Sequence, residues 1–97
     1  MATARSRDRD LVRQKREQLD TAIARGELSV PEAVKRMREI SGLTQEQFAK
    51  HRGMSLLTLK KIESGKGNPT LDTLEKIGRI FGYRIGFIAK RDESTSE

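Results

Sequence analysis

The sequence contains no cysteine and no tryptophan, and aromatic residues make up only 4% of its 97 positions. Without cysteine there can be no disulfide framework, no thiolate metal site and no cysteine nucleophile. With so few aromatic residues, the core must be small and aliphatic. No apolar run approaches the roughly 18 residues needed to cross a bilayer, and the charged N-terminus lacks the apolar segment of a secretory signal. We therefore expect one small cytoplasmic domain with no membrane association.

Residues suited to catalysis or metal binding are equally scarce. His51 is the one histidine in the sequence, and it lies in a charged segment. No group of histidine and carboxylate residues has the spacing of metal ligands. The Gly65-Lys66-Gly67 stretch lacks the spacing and the preceding strand of a phosphate-binding loop. We expect no enzyme activity, no metal and no other cofactor.

Positive charge is what the sequence has in excess. Lysine and arginine outnumber aspartate and glutamate by 20 to 14, which gives a net charge of +6 and a pI near 10.1. A basic balance favours a polyanionic partner, and DNA is the commonest one for a domain of this size. An anionic membrane surface is the competing explanation.

The stretch from Thr44 to Glu63, TQEQFAKHRGMSLLTLKKIE, predicts two short helices joined by a tight turn. Thr44 followed three residues later by Gln47 forms a capping box, which starts the first helix. Gly53 supplies the permissive backbone of a helix end, and Ser55 caps the second helix. Two short helices around such a turn form a helix-turn-helix unit, whose second helix enters the major groove of DNA.

The flanking segments predict three more helices and two tails. Residues 1–9 are typical of a flexible basic tail, because nothing in them can be buried. Residues 10–26 predict a helix with a narrow apolar stripe, which can pack on the domain or pair with another chain. The segments Ser29 to Gly42 and Thr70 to Gly82 each begin at a capping residue and end at a glycine, as helices do. Residues 91–97 are polar, and we expect them to be disordered.

Residues 83–90 differ in pattern from the rest of the chain. Tyr83, Ile85, Phe87 and Ala89 recur with period two, which is the signature of a β-strand. The chain contains no second strand candidate, and an unpaired apolar edge must be covered. We therefore expect the same strand of a second subunit to pair with it, which makes these four residues the dimerisation site. The alternative is an extended tail that lies on the helical core.

Several short motifs resemble the Xre/Cro-type helix-turn-helix family, the phage-repressor-like DNA-binding domains. They are LTQEQFA at residues 43–49, GMS at 53–55, IESGK at 62–66 and NPT at 68–70. The resemblance places the helix-turn-helix domain at residues 29–82. It implies an all-α, five-helix lambda-repressor-like fold with an added N-terminal helix and, from the pattern above, a short C-terminal β-strand. That strand is similar to the one in HipB-type antitoxins, where such strands pair across a dimer.

The resemblance also implies which residues contact DNA. Gln45 resembles a glutamine that holds a phosphate and braces the recognition helix. The backbone N–H groups of residues 66–68 suit DNA phosphates. Glu63 resembles a structural residue that pairs with a basic side chain, for which Arg52 or Lys60 are the candidates. The full set of predicted DNA-binding residues is Thr44, Gln45, Ser55, Leu56, Leu57, Lys60, Lys61, Lys66 and Asn68.

Leu56 and Leu57 depart from the family pattern, because many relatives have glutamine, serine or arginine there. Leucine can contact a thymine methyl group but cannot read a hydrogen-bond donor or acceptor. One of the two leucines can instead pack inward. Base readout then depends on Lys60 and Lys61, which favour guanine, together with DNA shape.

These features predict a sequence-specific DNA-binding transcriptional repressor that acts as a homodimer on a palindromic operator. A narrower hypothesis is an antitoxin that represses its own operon and binds a toxin protein, which the small size, the strand and the extra N-terminal helix suggest. The alternative is a helix-turn-helix scaffold that acts mainly as a protein-interaction module and binds DNA weakly and without specificity.

Overall fold

The computed structural model describes residues 2–89, with side chains from residue 8 onward. Within that part of the chain it contains five helices, as predicted. Their bounds are α1 Ala2–Ala24, α2 Val30–Ser41, α3 Gln45–Arg52, α4 Leu56–Ser64 and α5 Leu71–Arg79. None of them is long and apolar enough to cross a membrane. The tail predicted to be disordered, residues 91–97, lies outside the described residues.

The capping residues define where α2 and α3 begin. Ser29 and Glu32 form a reciprocal pair, in which each backbone N–H donates to the other side chain, at 2.9 and 3.3 Å. Thr44 and Gln47 do the same at 3.0 and 3.1 Å. Each pair satisfies two backbone donors that the first helical turn would otherwise leave without a partner.

Helix α1 begins at Ala2, eight residues before the start predicted at Asp10. The backbone of residues 2–9 therefore continues the helix and does not form a separate tail. Alanine and arginine, which are good helix formers, occupy most of this segment, and this composition favours the longer helix. The first turn of α1 contains no acidic residue, because Asp8 and Asp10 lie further along the helix.

The core lies between the five helices, with α2 packed against α1, α4 and α5, and α3 packed against α4. Its four largest fully buried side chains come from four different helices and are Leu19, Phe48, Leu59 and Ile77. Val34, Met37 and Ile62 join the same cluster. Because Leu19 has no exposed surface, α1 packs on its own domain through this side chain, whereas Leu11 and Val12 of the same stripe are half-exposed.

The predicted C-terminal strand at residues 83–90 is not seen, and this part of the fold prediction is wrong. Residues 83–89 form no regular secondary structure, and Lys90 lies outside the described residues. The segment lies on the helices of its own chain: the Tyr83 N–H donates to the Gly78 carbonyl at 3.0 Å. Ile85 and Ile88 line an apolar cavity of about 140 Å³ together with residues of α2 and α5.

The packing of this segment does not follow the period of two that predicted the strand. Tyr83 is partly buried and packs against the core, whereas Phe87 is wholly exposed and Ala89 is exposed. In a β-strand, Ile88 would lie on the opposite face from Ile85 and Phe87. In the structure it lines the same cavity as Ile85 and approaches Gly26. The helical body covers this segment on one side, so it needs no partner strand there.

A clasp of four residues joins α1 to the end of α5. The Tyr83 hydroxyl donates to the Asp20 carboxylate, and the Arg16 guanidinium lies 4.9 Å from the ring centre of Phe81 and 5.7 Å from that of Tyr83. Arg16 also donates to the Phe81 carbonyl oxygen. Burial, and then the bond to Asp20, raises the pKa of Tyr83 to about 12.

The clasp predicts how the protein responds to alkali. Tyr83 is the one tyrosine in the sequence, so the ultraviolet absorbance of tyrosinate reports on it alone. The absorbance midpoint should be about pH 12 in the folded protein and about pH 10 in denaturant. Because the folded-state pKa is the higher one, the stability that neutral Tyr83 contributes is complete below pH 10. It should be lost as the pH rises to about 12.

The change Asp20→Asn should lower the folded midpoint only part of the way, because burial is the larger cause of the shift. A folded protein whose tyrosine titrates near pH 10 would contradict the clasp.

Candidate nucleic-acid interface

Helices α3 and α4 are joined by a turn of three residues, from Gly53 to Ser55. Gly53 has φ = +70°, a left-handed conformation that side chains other than glycine rarely adopt. Its N–H and that of Met54 donate to carbonyl groups in the last turn of α3, at 3.2 and 3.0 Å. The Ser55 hydroxyl then accepts the N–H of Thr58 at 3.0 Å and starts α4. The two-helix unit predicted from the sequence is therefore present.

The outer face of α4 is formed by residues one helical turn apart. Leu59 and Ile62 point into the core, with 0% and 3% of their surface exposed. On the opposite side, the exposed residues are Leu57, Lys60, Lys61 and Ser64. Leu56 is half-buried whereas Leu57 is 62% exposed, so of the two leucines it is Leu56 that packs partly inward.

A buried carboxylate holds α4 in place. Glu63 has a side chain that is only 3% exposed, and it accepts two hydrogen bonds from the Arg38 guanidinium, at 2.7 and 3.1 Å. It also accepts one from the Gln45 amide at 3.0 Å. Arg38 donates further to the Leu43 carbonyl at 3.3 Å, and its bond to the carboxylate raises the pKa of Arg38 above its usual range. The network joins α2, α3 and α4.

The partner of Glu63 was predicted wrongly. The candidates from the sequence were Arg52 and Lys60, but the structure pairs Glu63 with Arg38 of α2. Arg52 is itself 93% buried by residue area and lies over the Phe48 ring at 4.2 Å, where burial lowers the pKa of Arg52. Arg38 lies off the apolar stripe of its helix and 25 residues from Glu63, so no local pattern in the sequence indicated the pair.

Gln45 lies at the first position of α3, directly after the Thr44 cap. Its amide nitrogen donates to Glu63, so Gln45 contacts α4 through this carboxylate. Thr44 is exposed beside it. The N-terminus of α3 is thus held against α4, and its cap faces solvent.

The loop after α4 differs in one respect from what the sequence predicted. The N–H groups of Lys66 and Gly67 both donate to the Lys61 carbonyl, at 3.0 and 3.3 Å, so they close the end of α4. They are not free to bind phosphate. The exposed groups that this loop offers are the side chains of Lys66 and Asn68.

The structure thus brings one group of predicted residues together and leaves another apart. The predicted DNA-binding residues lie at the start of α3, on α4 and in the loop directly after it. The four residues predicted for dimerisation lie in the C-terminal segment and face different ways, because Tyr83 packs inward and Phe87 outward.

The two-helix unit lies within the part of the chain that matches a known protein family. Residues 34–88 match the family model described as helix-turn-helix. An uncharacterised HTH-type transcriptional regulator of Methanocaldococcus jannaschii is 42% identical over 62 residues, which cover 62% of this chain and 94% of that protein.

The cryptic phage CTXphi transcriptional repressor RstR of Vibrio cholerae is 40% identical over 66% of this chain and 57% of its own length. The HTH-type transcriptional activator BcrR of Enterococcus faecalis is 34% identical over 64% of this chain and 30% of its own length. No solved structure matches the chain significantly.

The Glu63 network predicts a large loss of stability when its cation is removed. Arg38→Ala should lower the free energy of unfolding by about 3 kcal/mol, because it leaves a buried carboxylate without its counter-charge. The double change Arg38→Ala with Glu63→Ala should recover part of this loss, since no buried charge then remains. Urea denaturation gives these values.

The matched control is Lys76→Ala, which removes the cation of the exposed Asp72–Lys76 pair on α5. That change should cost no more than about 0.5 kcal/mol. Equal effects of Arg38→Ala and Lys76→Ala would show that the buried network does not stabilise the fold.

Proposed function

The chain belongs to the helix-turn-helix family of DNA-binding transcriptional regulators, and we propose that it is a sequence-specific repressor acting as a homodimer on a palindromic operator. The observation that carries the proposal is the outer face of α4, where Leu57, Lys60 and Lys61 are exposed while the Glu63 network fixes the helix from behind. We choose repressor over activator because the phage repressor RstR is similar to this chain over 57% of its own length, whereas the activator BcrR is similar over only 30% of its length.

In this proposal α4 enters the major groove and its N-terminal turns meet the base edges. Lys60 and Lys61 favour guanine, whose O6 and N7 atoms both accept hydrogen bonds. In this proposal the phosphates are contacted by exposed groups at the starts of α3 and α4 and in the loop after α4, namely Thr44, Ser55, Lys66 and Asn68. Such contacts set the position of the domain on the duplex. The net charge of +6 favours the same partner.

We assign the dimer interface to the outward side of the C-terminal segment, without strand pairing. Phe87 is wholly exposed, and Ile88, although it lines the cavity with Ile85, is still 69% exposed. Exposed large apolar side chains that are neighbours in the chain are typical of interaction surfaces, and a second copy of the chain would cover them. Two recognition helices related by a two-fold axis bind half-sites about 34 Å apart, which is why the operator is expected to be palindromic.

Two other functions remain to be separated from this one. The antitoxin hypothesis rested partly on the C-terminal strand, which is not seen, and partly on the extra N-terminal helix, which packs on its own domain through Leu19. Co-purification with a toxin encoded beside the gene would test this hypothesis. The protein-interaction module would use the exposed Leu57 for a protein partner. It predicts weak DNA binding without sequence preference.

Selection of bound duplexes from a random pool tests the proposed function. An inverted repeat should be recovered, and binding to it should weaken steeply with salt because each neutralised phosphate releases counterions. Lys60→Ala and Lys61→Ala should each lower affinity for the selected site by about 5- to 150-fold, the range for losing one specific base contact. The control Lys76→Ala, on α5, should leave affinity for the site nearly unchanged.

Recovery of no sequence above background would favour the protein-interaction module. If the site is recovered but both lysine variants bind it as tightly as the unchanged protein, the base contacts assigned to Lys60 and Lys61 are wrong.

The oligomeric state tests the assigned interface. Sedimentation velocity should give a particle of about twice the chain mass of 11.0 kDa. Phe87→Ser should shift it toward the monomer because it removes the largest apolar group of the interface. Leu11→Ser, which changes a half-exposed side chain on α1, is the control and should remain dimeric. A dimer that Phe87→Ser leaves intact would place the interface elsewhere.

A further inference from the structure

Leu57 is a large apolar side chain on the outer face of the recognition helix, and nothing in the fold accounts for its exposure. It is 62% exposed at the second position of α4, while Leu59 and Ile62 already fill the core side of the same helix. Single exposed leucines are common on protein surfaces and by themselves carry no meaning. The position of this one does carry meaning, because the first turns of the recognition helix approach the base edges.

The neighbours of Leu57 on this face suit a polyanion. Lys60 and Lys61 follow one helical turn later, and both are exposed. Ser64 lies one further turn along the same face. An apolar side chain with two cationic neighbours on one helix face matches the major groove, where phosphates flank the groove and the base edges line its floor. A protein partner would have to provide acidic groups around an apolar pocket.

In the major groove, the one apolar group that a standard base pair presents is the thymine C5-methyl group. Adenine, guanine and cytosine offer donors and acceptors there. A leucine pressed against one of those would displace water and return no hydrogen bond, which is unfavourable. The side chain therefore favours thymine and disfavours the other bases at the position that it meets.

We propose that Leu57 reads a thymine methyl group, so that each operator half-site carries a thymine facing this side chain. The proposal rests on the proposed function and makes it more specific. It assigns an apolar contact to Leu57 and leaves the hydrogen-bonding contacts to Lys60 and Lys61. Specificity then comes from two kinds of contact on one helix face.

Uracil substitution isolates the methyl group, because deoxyuridine differs from thymidine by that methyl alone. Each thymine of the selected half-site is replaced in turn, and the dissociation constant is measured for the full chain by a binding titration. At one or two positions the substitution should weaken binding about fourfold, the value for losing one buried methyl-sized group. For Leu57→Ala, the thymine and uracil duplexes should bind equally at those positions.

Leu71→Ala is the matched control, since Leu71 is 67% exposed on a different helix, and this variant should keep the full sensitivity to uracil. Because Leu57 makes little contact with the core, the Leu57→Ala variant should fold. The uracil scan of the protein without substitutions does not depend on this variant.

A specific operator whose uracil duplexes all bind like the thymine duplex would overturn this inference and leave the proposed function intact. Unchanged uracil sensitivity in Leu57→Ala would also overturn it, and would assign the methyl contact to another residue. If no sequence preference is found at all, both proposals fail.

Discussion

The carboxylate of Glu63 is the constraint on which the geometry of the binding face depends. A charge that is 97% removed from solvent at its side chain is unfavourable unless its oxygens are bonded, and here three donors from α2 and α3 meet it. Arg38 and Gln45 therefore determine where the far end of α4 lies. Since the outer face of the same helix carries Leu57 and the two lysines, the network behind the helix orients the residues in front of it.

A second set of contacts holds the C-terminal segment against α1. Tyr83 bonds to Asp20 of α1, and Arg16 stacks on the aromatic rings at the end of α5. These contacts keep the C-terminal segment on its own domain, where Ile85 and Ile88 line an apolar cavity. A segment bound in this way forms no β-strand, and the helices of its own chain already cover its apolar side chains on one side. Phe87 is left pointing outward.

In each set of contacts, one arginine makes two kinds of interaction. Arg38 forms a bidentate ion pair and also bonds to a carbonyl, and Arg16 combines a carbonyl bond with stacking on rings. The planar guanidinium suits this use, which an ammonium group cannot reproduce. In a chain with 4% aromatic residues, such polar contacts supplement a core that is small and mainly aliphatic.

The sequence by itself determined what depends on groups within one helical turn. The capping box at Thr44 and Gln47, the left-handed Gly53 and the inward stripe of Leu59 and Ile62 predicted the helix-turn-helix unit and its outer face. Its partners across the fold could not be predicted in this way. Glu63 is 25 residues from Arg38, and Tyr83 is 63 residues from Asp20, so those pairs form only when the chain path brings them together.

The C-terminal segment was misread for the same reason. Alternation of apolar residues indicates that they are covered but does not say by what. Here the helices of the same chain, and not a second strand, cover the segment on one side.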